Sequence, residues 1–307
     1  MSVAVADVHV GREVPTVSPL SAERGRRARR VRRWKSVGAA GIAVMLLIWT
    51  LVPIYNIVMV SLESKGDVFT NTIWPDQPSL NSFWIVVTEG YWYLEHFWEQ
   101  FANSVYIGVG TVFFTLAIGS LASFAIGRMR VRYGWLLSNA ALMTYVIPAS
   151  FLAIPFYRIM QIYGLTDNLW SVIAAEVTFA TPYAIFIFHQ YGVSIPIELD
   201  EAARIDGASP GQVYWKIYLP LMAPALVAVG TYALLLAWNE YLYQFLLLSS
   251  KESMSVPVAL AQFFNSDEAP WNYMMATAIV YSIPPVAIYY AFRRRMAAGL
   301  TMGGVKG

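Results

Sequence analysis

Cysteine is absent from all 307 residues. That excludes disulfides, thiolate metal centres and cysteine nucleophiles. Histidine is scarce: His9, His96 and His189 lie far apart and form no metal-ligand spacing. Charged residues make up only 13% of the chain, against about 25% in soluble domains. No G-x-x-x-x-G-K stretch followed by Ser or Thr occurs, so the chain carries no P-loop. No Ser/His/Asp arrangement and no His/carboxylate set appears. The carboxylates near residue 200 lack a pocket in which a general acid and base would meet a substrate. The chain reads as a non-enzyme without catalytic or metal residues.

What is abundant is apolar surface. The composition is 57% apolar, and the mean hydropathy is positive. A membrane-spanning helix needs about 20 mostly apolar residues. Segments near 37–60, 103–127, 134–162, 169–191, 218–247 and 271–292 meet that length. They predict an all-α integral membrane protein with six transmembrane helices. Pro148 and Pro155 lie in the third segment, which leaves part of it for the interface. Pro182 is expected to interrupt the fourth.

Residues 1–36 are polar and end in a basic run from Arg24 to Lys35. They show no apolar period and read as a disordered tail. The apolar run that follows is longer than a signal peptide's core and lacks a small-residue cleavage site, so it reads as an uncleaved signal-anchor. Basic residues then set the topology. With the N-terminus in the cytoplasm, residues 1–36, 128–133, 192–217 and 293–307 hold every Lys and Arg except Lys65, Arg158 and Lys251. Both termini are therefore expected in the cytoplasm, with a permease domain at 37–292 and a Gly-rich tail at 293–307. The loop at 61–102 carries Trp74, Trp84, Tyr91, Trp92, Tyr93 and Trp98. Interfacial anchoring explains these rings more simply than sugar stacking.

One cytoplasmic stretch stands out. Glu198 to Pro220 reads ELDEAARIDGASPGQVYWKIYLP. It predicts a helix, a stop at Gly207, and a second helix opened by Ser209, Pro210 and Gln212 in a capping box. Leu199, Ala202 and Ala203 share a helical face. Ala202 and Ala203 allow close approach of another surface, and Glu201 and Asp206 place carboxylates beside it. An ordinary surface helix, with Asp200 or Glu201 paired to Arg204, fits the same residues. In the membrane, Glu176, Asn239 and Glu240, with Tyr241 and Tyr243 nearby, are costly polar groups that face a pathway or a partner helix.

The spacing Glu201-Ala202-Ala203, Gly207, Ile217 and Leu219-Pro220 resembles the EAA motif of ABC importer permeases. Asp206-Gly207-Ala208 and the ending Gly303-Gly304-Val305-Lys306-Gly307 resemble the maltose-type, carbohydrate-uptake branch. The resemblance runs from about residue 37 to the C-terminus. It implies a permease subunit of an ATP-driven importer for a sugar or sugar-like solute in a bacterial inner membrane, coupled through 196–220. It implies as partners a second permease, an ABC ATPase dimer that binds ATP and Mg, an extracytoplasmic solute-binding protein and membrane lipid, but no nucleic acid. Glu201, Ala202, Ala203, Asp206, Gly207, Ile217, Leu219 and Pro220 would meet the ATPase, as would the tail from Gly303 to Gly307. The loop from about Ser249 to Pro270 would reach the solute-binding protein. Glu176, Asn239, Glu240 and Tyr243 are candidates for the solute path. An ion-coupled secondary transporter built on Glu176 and Glu240 is the alternative.

Overall fold

A computed structural model describes residues 19–64, 73–129, 131–265 and 270–301, with side chains from Arg32 to Arg293 within those ranges. Residues 1–18, Asp267, Glu268 and the tail from Gly303 to Gly307 lie outside the described residues. Among the described residues the secondary structure is helical, with no strand. The chain divides into two compact units, one ending at Asn56 and the other beginning at Ile57.

Helix α1 (Pro19–Leu62) supplies all the described structure of the first unit. The expected disordered tail is therefore helical from Pro19 onward. The Ala/Arg-rich run has strong helix propensity, Pro19 suits a first helical position, and the apolar stretch that follows offsets the cost of nucleation. Ile42 is 63% exposed and Trp49 76% exposed. A helix apolar on all sides needs lipid or a partner helix around it.

The second unit contains α2 (Asn81–Val87), α3 (Phe97–Arg128), α4 (Gly134–Met143), α5 (Ala149–Ile162), α6 (Leu169–Val193), α7 (Glu198–Ile205), α8 (Pro210–Val213), α9 (Leu219–Leu221), α10 (Ala223–Asn239), α11 (Leu242–Leu247), α12 (Val256–Gln262) and α13 (Trp271–Thr301). Among the described residues, four helical segments, Arg32–Leu62, Phe97–Arg128, Leu169–Val193 and Trp271–Arg293, are long and apolar enough to cross a membrane. The total reaches six if each of two bent helix pairs counts as one span.

Three expectations about the spans change. The 134–162 segment is not one straight helix: it bends by 96° between Val146 and Ala149. Ile147 is extended, with φ −87° and ψ 117°, because the residue before a proline is pushed out of the α region. The expected 218–247 span bends by 76° between Leu221 and Ala223, and breaks again after Asn239 at Glu240, whose ψ is 133°. Finally, α6 runs unbroken through Pro182. Its burial between neighbouring helices outweighs the single backbone hydrogen bond that a proline removes.

The centre of the second unit is the α3–α6 pair. Gly119 makes their approach possible. A Cβ there would lie 2.8 Å from Ala184 Cβ and 3.2 Å from Phe188. Helix α10 is tied to α13 by Trp238 and Tyr281, whose rings stack at 4.8 Å while the Tyr281 hydroxyl donates to the Trp238 carbonyl at 2.8 Å. By its rise per residue, α3 is roughly 48 Å long and so separates two ends of the unit.

Candidate functional site

At one end, the 198–220 stretch folds into a helical elbow. Helix α7 stops at Asp206, and Gly207 takes φ +87°, a conformation that costs a residue with a Cβ roughly 1–2 kcal/mol. Gly207 N–H donates to Arg204 O at 3.0 Å and Ala208 N–H to Ala203 O at 2.9 Å, which satisfies the last carbonyls of α7. The chain restarts at Ser209. Its N–H donates to Gln212 Oε1 at 2.7 Å, and Gln212 N–H donates back to Ser209 Oγ at 3.3 Å. The capping box expected from the sequence is present. A short π-helical turn, Tyr214–Tyr218, then leads into α9.

The elbow is fastened to α3 by buried contacts. Arg128, the last residue of α3, meets Asp200 of α7 at 3.3 Å, and both side chains are at most 5% exposed. The same guanidinium donates to Gly192 O at 3.1 Å and Ile195 O at 2.8 Å, which fixes the end of α6. Asp200 therefore pairs across the fold, not with Arg204 one turn away. Arg204 reaches back to the Arg128 carbonyl at 3.4 Å. The Tyr214 hydroxyl lies 2.7 Å from Ser120 Oγ and the Tyr218 hydroxyl 2.9 Å from Ser123 Oγ. Phe124 sits edge-on to both rings, and Phe188 and Met222 complete this apolar cluster.

That fastening sorts the candidate residues. Glu201, Ala202, Asp206, Gly207 and Pro220 are exposed. Ala203 and Leu219 are half-buried against the Phe124 cluster, and Ile217 is half-buried as well. The close-approach surface is thus narrower than the sequence suggested: Ala202 faces outward, while Ala203 helps seat the elbow. Ile205, which the sequence did not single out, is 86% exposed and adds an apolar side chain to the outward surface. Tyr214→Phe is expected to lower stability by about 1 kcal/mol, because Ser120 keeps its bond to Leu116 O at 2.6 Å. The check is the thermal unfolding midpoint of the purified protein in detergent.

At the other end, the segment between α11 and α12 is held by side chains from elsewhere. Asp167, before α6, accepts from Ser249 N–H at 2.8 Å and Ser250 N–H at 3.1 Å through Oδ1, and Ser253 Oγ donates to the same oxygen. Its own N–H donates to Leu247 O at 2.8 Å. From α3, Asn103 donates to Glu252 O at 2.6 Å and Met254 O at 3.0 Å, while Gln100 donates to Lys251 O at 3.3 Å. Burial acts to raise the Asp167 pKa, but the hydrogen bonds from Ser253, Ser249 and Ser250 outweigh it and hold the carboxyl well below the usual range. A depressed carboxylate stabilises the fold above its unfolded pKa of about 3.9 and loses that contribution only as pH falls toward its lower folded value.

Between the two ends lies a cavity of about 460 Å³ lined by Glu176, Glu240, Tyr243, Tyr145, Thr178 and Phe179, among others. Three of the four candidate path residues meet there. Asn239 does not line it, and its side chain bonds to Leu235 O at 2.8 Å. Glu240 is engaged: its carboxylate accepts from Tyr243 N–H at 3.0 Å and Gln244 N–H at 3.2 Å, capping α11. The Tyr243 hydroxyl donates to Ala149 O at 2.7 Å. Glu176 is fully buried, with its carboxyl group beside that of Glu240.

Comparisons with known proteins bear on the family and the fold. Residues 97–301 match the family described as binding-protein-dependent transport system inner membrane component. The trehalose transport system permease protein SugB of Mycobacterium tuberculosis is 32% identical over 282 residues, covering 91% of this chain and 99% of the relative. The diacetylchitobiose uptake system permease protein DasC of Streptomyces coelicolor is 27% identical, covering 86% and 95%. Among solved structures, a bacterial ABC transporter involved in the import of the acidic polysaccharide alginate shares the fold, with a TM-score of 0.73 at 23% identity, covering 86% of this chain and 97% of that one. The elbow, the membrane helices and these matches lead to one conclusion: the chain belongs to the binding-protein-dependent transport system inner membrane components, as a multi-pass permease subunit of an ABC importer and not itself an enzyme.

Proposed function

We propose that this permease imports a sugar or sugar-like solute, driven by ATP and Mg bound to a separate ATPase dimer, and that the 198–220 elbow transmits the ATPase's movement to the membrane helices. The observation that carries this reading is the Arg128–Asp200 ion pair. It joins the elbow to a helix long enough to cross the membrane, so the two move as one body. Exposed Glu201, Ala202, Asp206 and Gly207 form the docking surface. Ile217, Leu219 and Pro220 connect it to α10, with Ala203 behind it. The tail from Gly303 to Gly307 adds a further ATPase contact. ATPase closure pulls the elbow, and the spans rock from inward- to outward-facing.

In this reading the elbow lies in the cytoplasm with both termini, which the distribution of basic residues supports. The opposite end, including the segment after Ser249, meets the solute-binding protein outside. A second permease completes the pathway, and Glu176, Glu240 and Tyr243 line this chain's share of it, with Asn239 next to Glu240. A sugar is favoured by relatives named for trehalose and diacetylchitobiose. Membership of an ABC permease family leaves the ion-coupled alternative without support.

The test is affinity purification from the native membrane in mild detergent, with co-purifying proteins identified by mass. The expected set is an ATPase, a second permease and a solute-binding protein, and the last is then screened against sugars by thermal shift. Isolation of the chain alone, with uptake that follows an ion gradient without ATP, would overturn the reading.

A further inference from the structure

The segment from Leu248 to Val256 has little regular structure of its own, yet its backbone groups are systematically occupied. Asp167 takes two of its N–H groups and a hydroxyl, and Asn103 and Gln100 take three of its carbonyls. Asp167 adopts φ +56°, a left-handed conformation in which Asp and Asn are among the few well-tolerated non-glycine residues. Its carboxyl group thereby reaches the start of the segment while its N–H bonds to the end of α11. Between these fixed points Lys251 and Glu252 are exposed. Exposed backbone that is tied at both sides keeps one conformation. A free segment of the same length would have to be ordered on contact, at a cost in affinity.

We infer that Asp167 is a positioning residue that latches the 248–256 segment, so that the exposed Lys251–Glu252 tip meets the solute-binding protein already shaped for contact. The inference rests on the reading that this end of the permease docks that protein. Asp167 is itself exposed, but its Oδ1 is taken up by Ser249, Ser250 and Ser253, so it acts through the segment it holds. Its loss therefore weakens docking more than it slows the turnover of the docked complex.

The experiment uses the complete complex in lipid nanodiscs with its co-purified solute-binding protein. ATP hydrolysis is measured against binding-protein concentration for the natural protein, Asp167→Ala and Asp167→Asn. In parallel, a photoreactive benzophenone residue replaces Lys251 in the otherwise natural chain. The expected result is a photo-adduct with the binding protein. Asp167→Ala is expected to raise the half-saturating concentration about tenfold while the maximal stimulated rate stays within about twofold. Asp167→Asn, which keeps an acceptor oxygen and tolerates the backbone conformation, should fall between the two. If Asp167→Ala does not assemble, the shift in Asp167→Asn decides. An adduct with an unchanged half-saturating concentration would overturn the latch while leaving the docking reading intact. A lost maximal rate at unchanged half-saturation would also overturn it. No adduct from position 251 would overturn the docking reading, and the latch with it.

Discussion

Replacing Arg128 by alanine is expected to abolish ATP-driven uptake. Removal of one partner from a buried ion pair costs about 3–5 kcal/mol, because the other charge is left buried and uncompensated. Here the loss is compounded. Asp200 loses its cation, and the carbonyls of Gly192 and Ile195 lose their donor at the same time. The elbow would then be held by the Phe124 cluster, the two tyrosine–serine contacts and the long Arg204 bond to the backbone carbonyl of residue 128. ATPase closure would move the elbow without moving α3. Asp200→Asn removes the charge but keeps an acceptor of the same shape, so an intermediate loss is expected. A double Arg128→Met, Asp200→Leu variant should recover little, since no methionine satisfies the two carbonyls. The measurement is ATP-driven uptake by the reconstituted complex, normalised to the amount of permease in the membrane. Full uptake by Arg128→Ala would show that the elbow does not depend on this tie.

Glu201→Lys tests the other side of the elbow. Glu201 is exposed on α7 and lies outside the apolar cluster that seats the elbow, so charge reversal leaves that cluster in place. The variant is expected to reach the membrane in normal amount. Removing one member of a close charge pair at an interface costs about 2–5 kcal/mol, and reversal adds repulsion. That corresponds to a fall of about a hundredfold or more in coupled uptake. Arg128→Ala and Glu201→Lys are therefore separated by their folding: the first weakens the attachment of the elbow, while the second leaves it intact and weakens only the docking. Normal uptake by Glu201→Lys would remove Glu201 from the coupling surface.

The elbow shows how far local sequence reaches. Its helix stop and restart were legible because Gly207, Ser209, Pro210 and Gln212 act on neighbours within a few residues, where side-chain chemistry alone sets the backbone. The role of Asp200 was not legible. Spacing offered Arg204 at i, i+4, while the true partner, Arg128, stands far back in the chain. Arg128 itself was visible only as a basic residue that counts toward topology. Asp167 carried no signal either. Its partners lie more than 80 residues on, and a lone aspartate before a helix reads as an ordinary turn residue.

The membrane helices divide in the same way. Apolar length alone located the segments, because lipid requires about 20 apolar residues whatever the neighbours are. Their breaks depended on more. Pro148 bent the third segment, as a pre-proline restriction permits, whereas Pro182 left α6 continuous because packing around it favours the helix. Glu240 read as a pathway carboxylate; it lines the cavity with Glu176, and its oxygens also accept from the first N–H groups of α11, a capping role the sequence did not reveal. Sequence by itself thus determined that this chain is a helical membrane protein with a helix–turn–helix elbow, since those properties follow from composition and from contacts a few residues apart. Only the tertiary structure decided which charges hold the elbow to α3, which faces remain open, and which loop is latched. Those outcomes depend on residues that meet in space after the chain has folded, and desolvation makes each such meeting costly to leave unpaired.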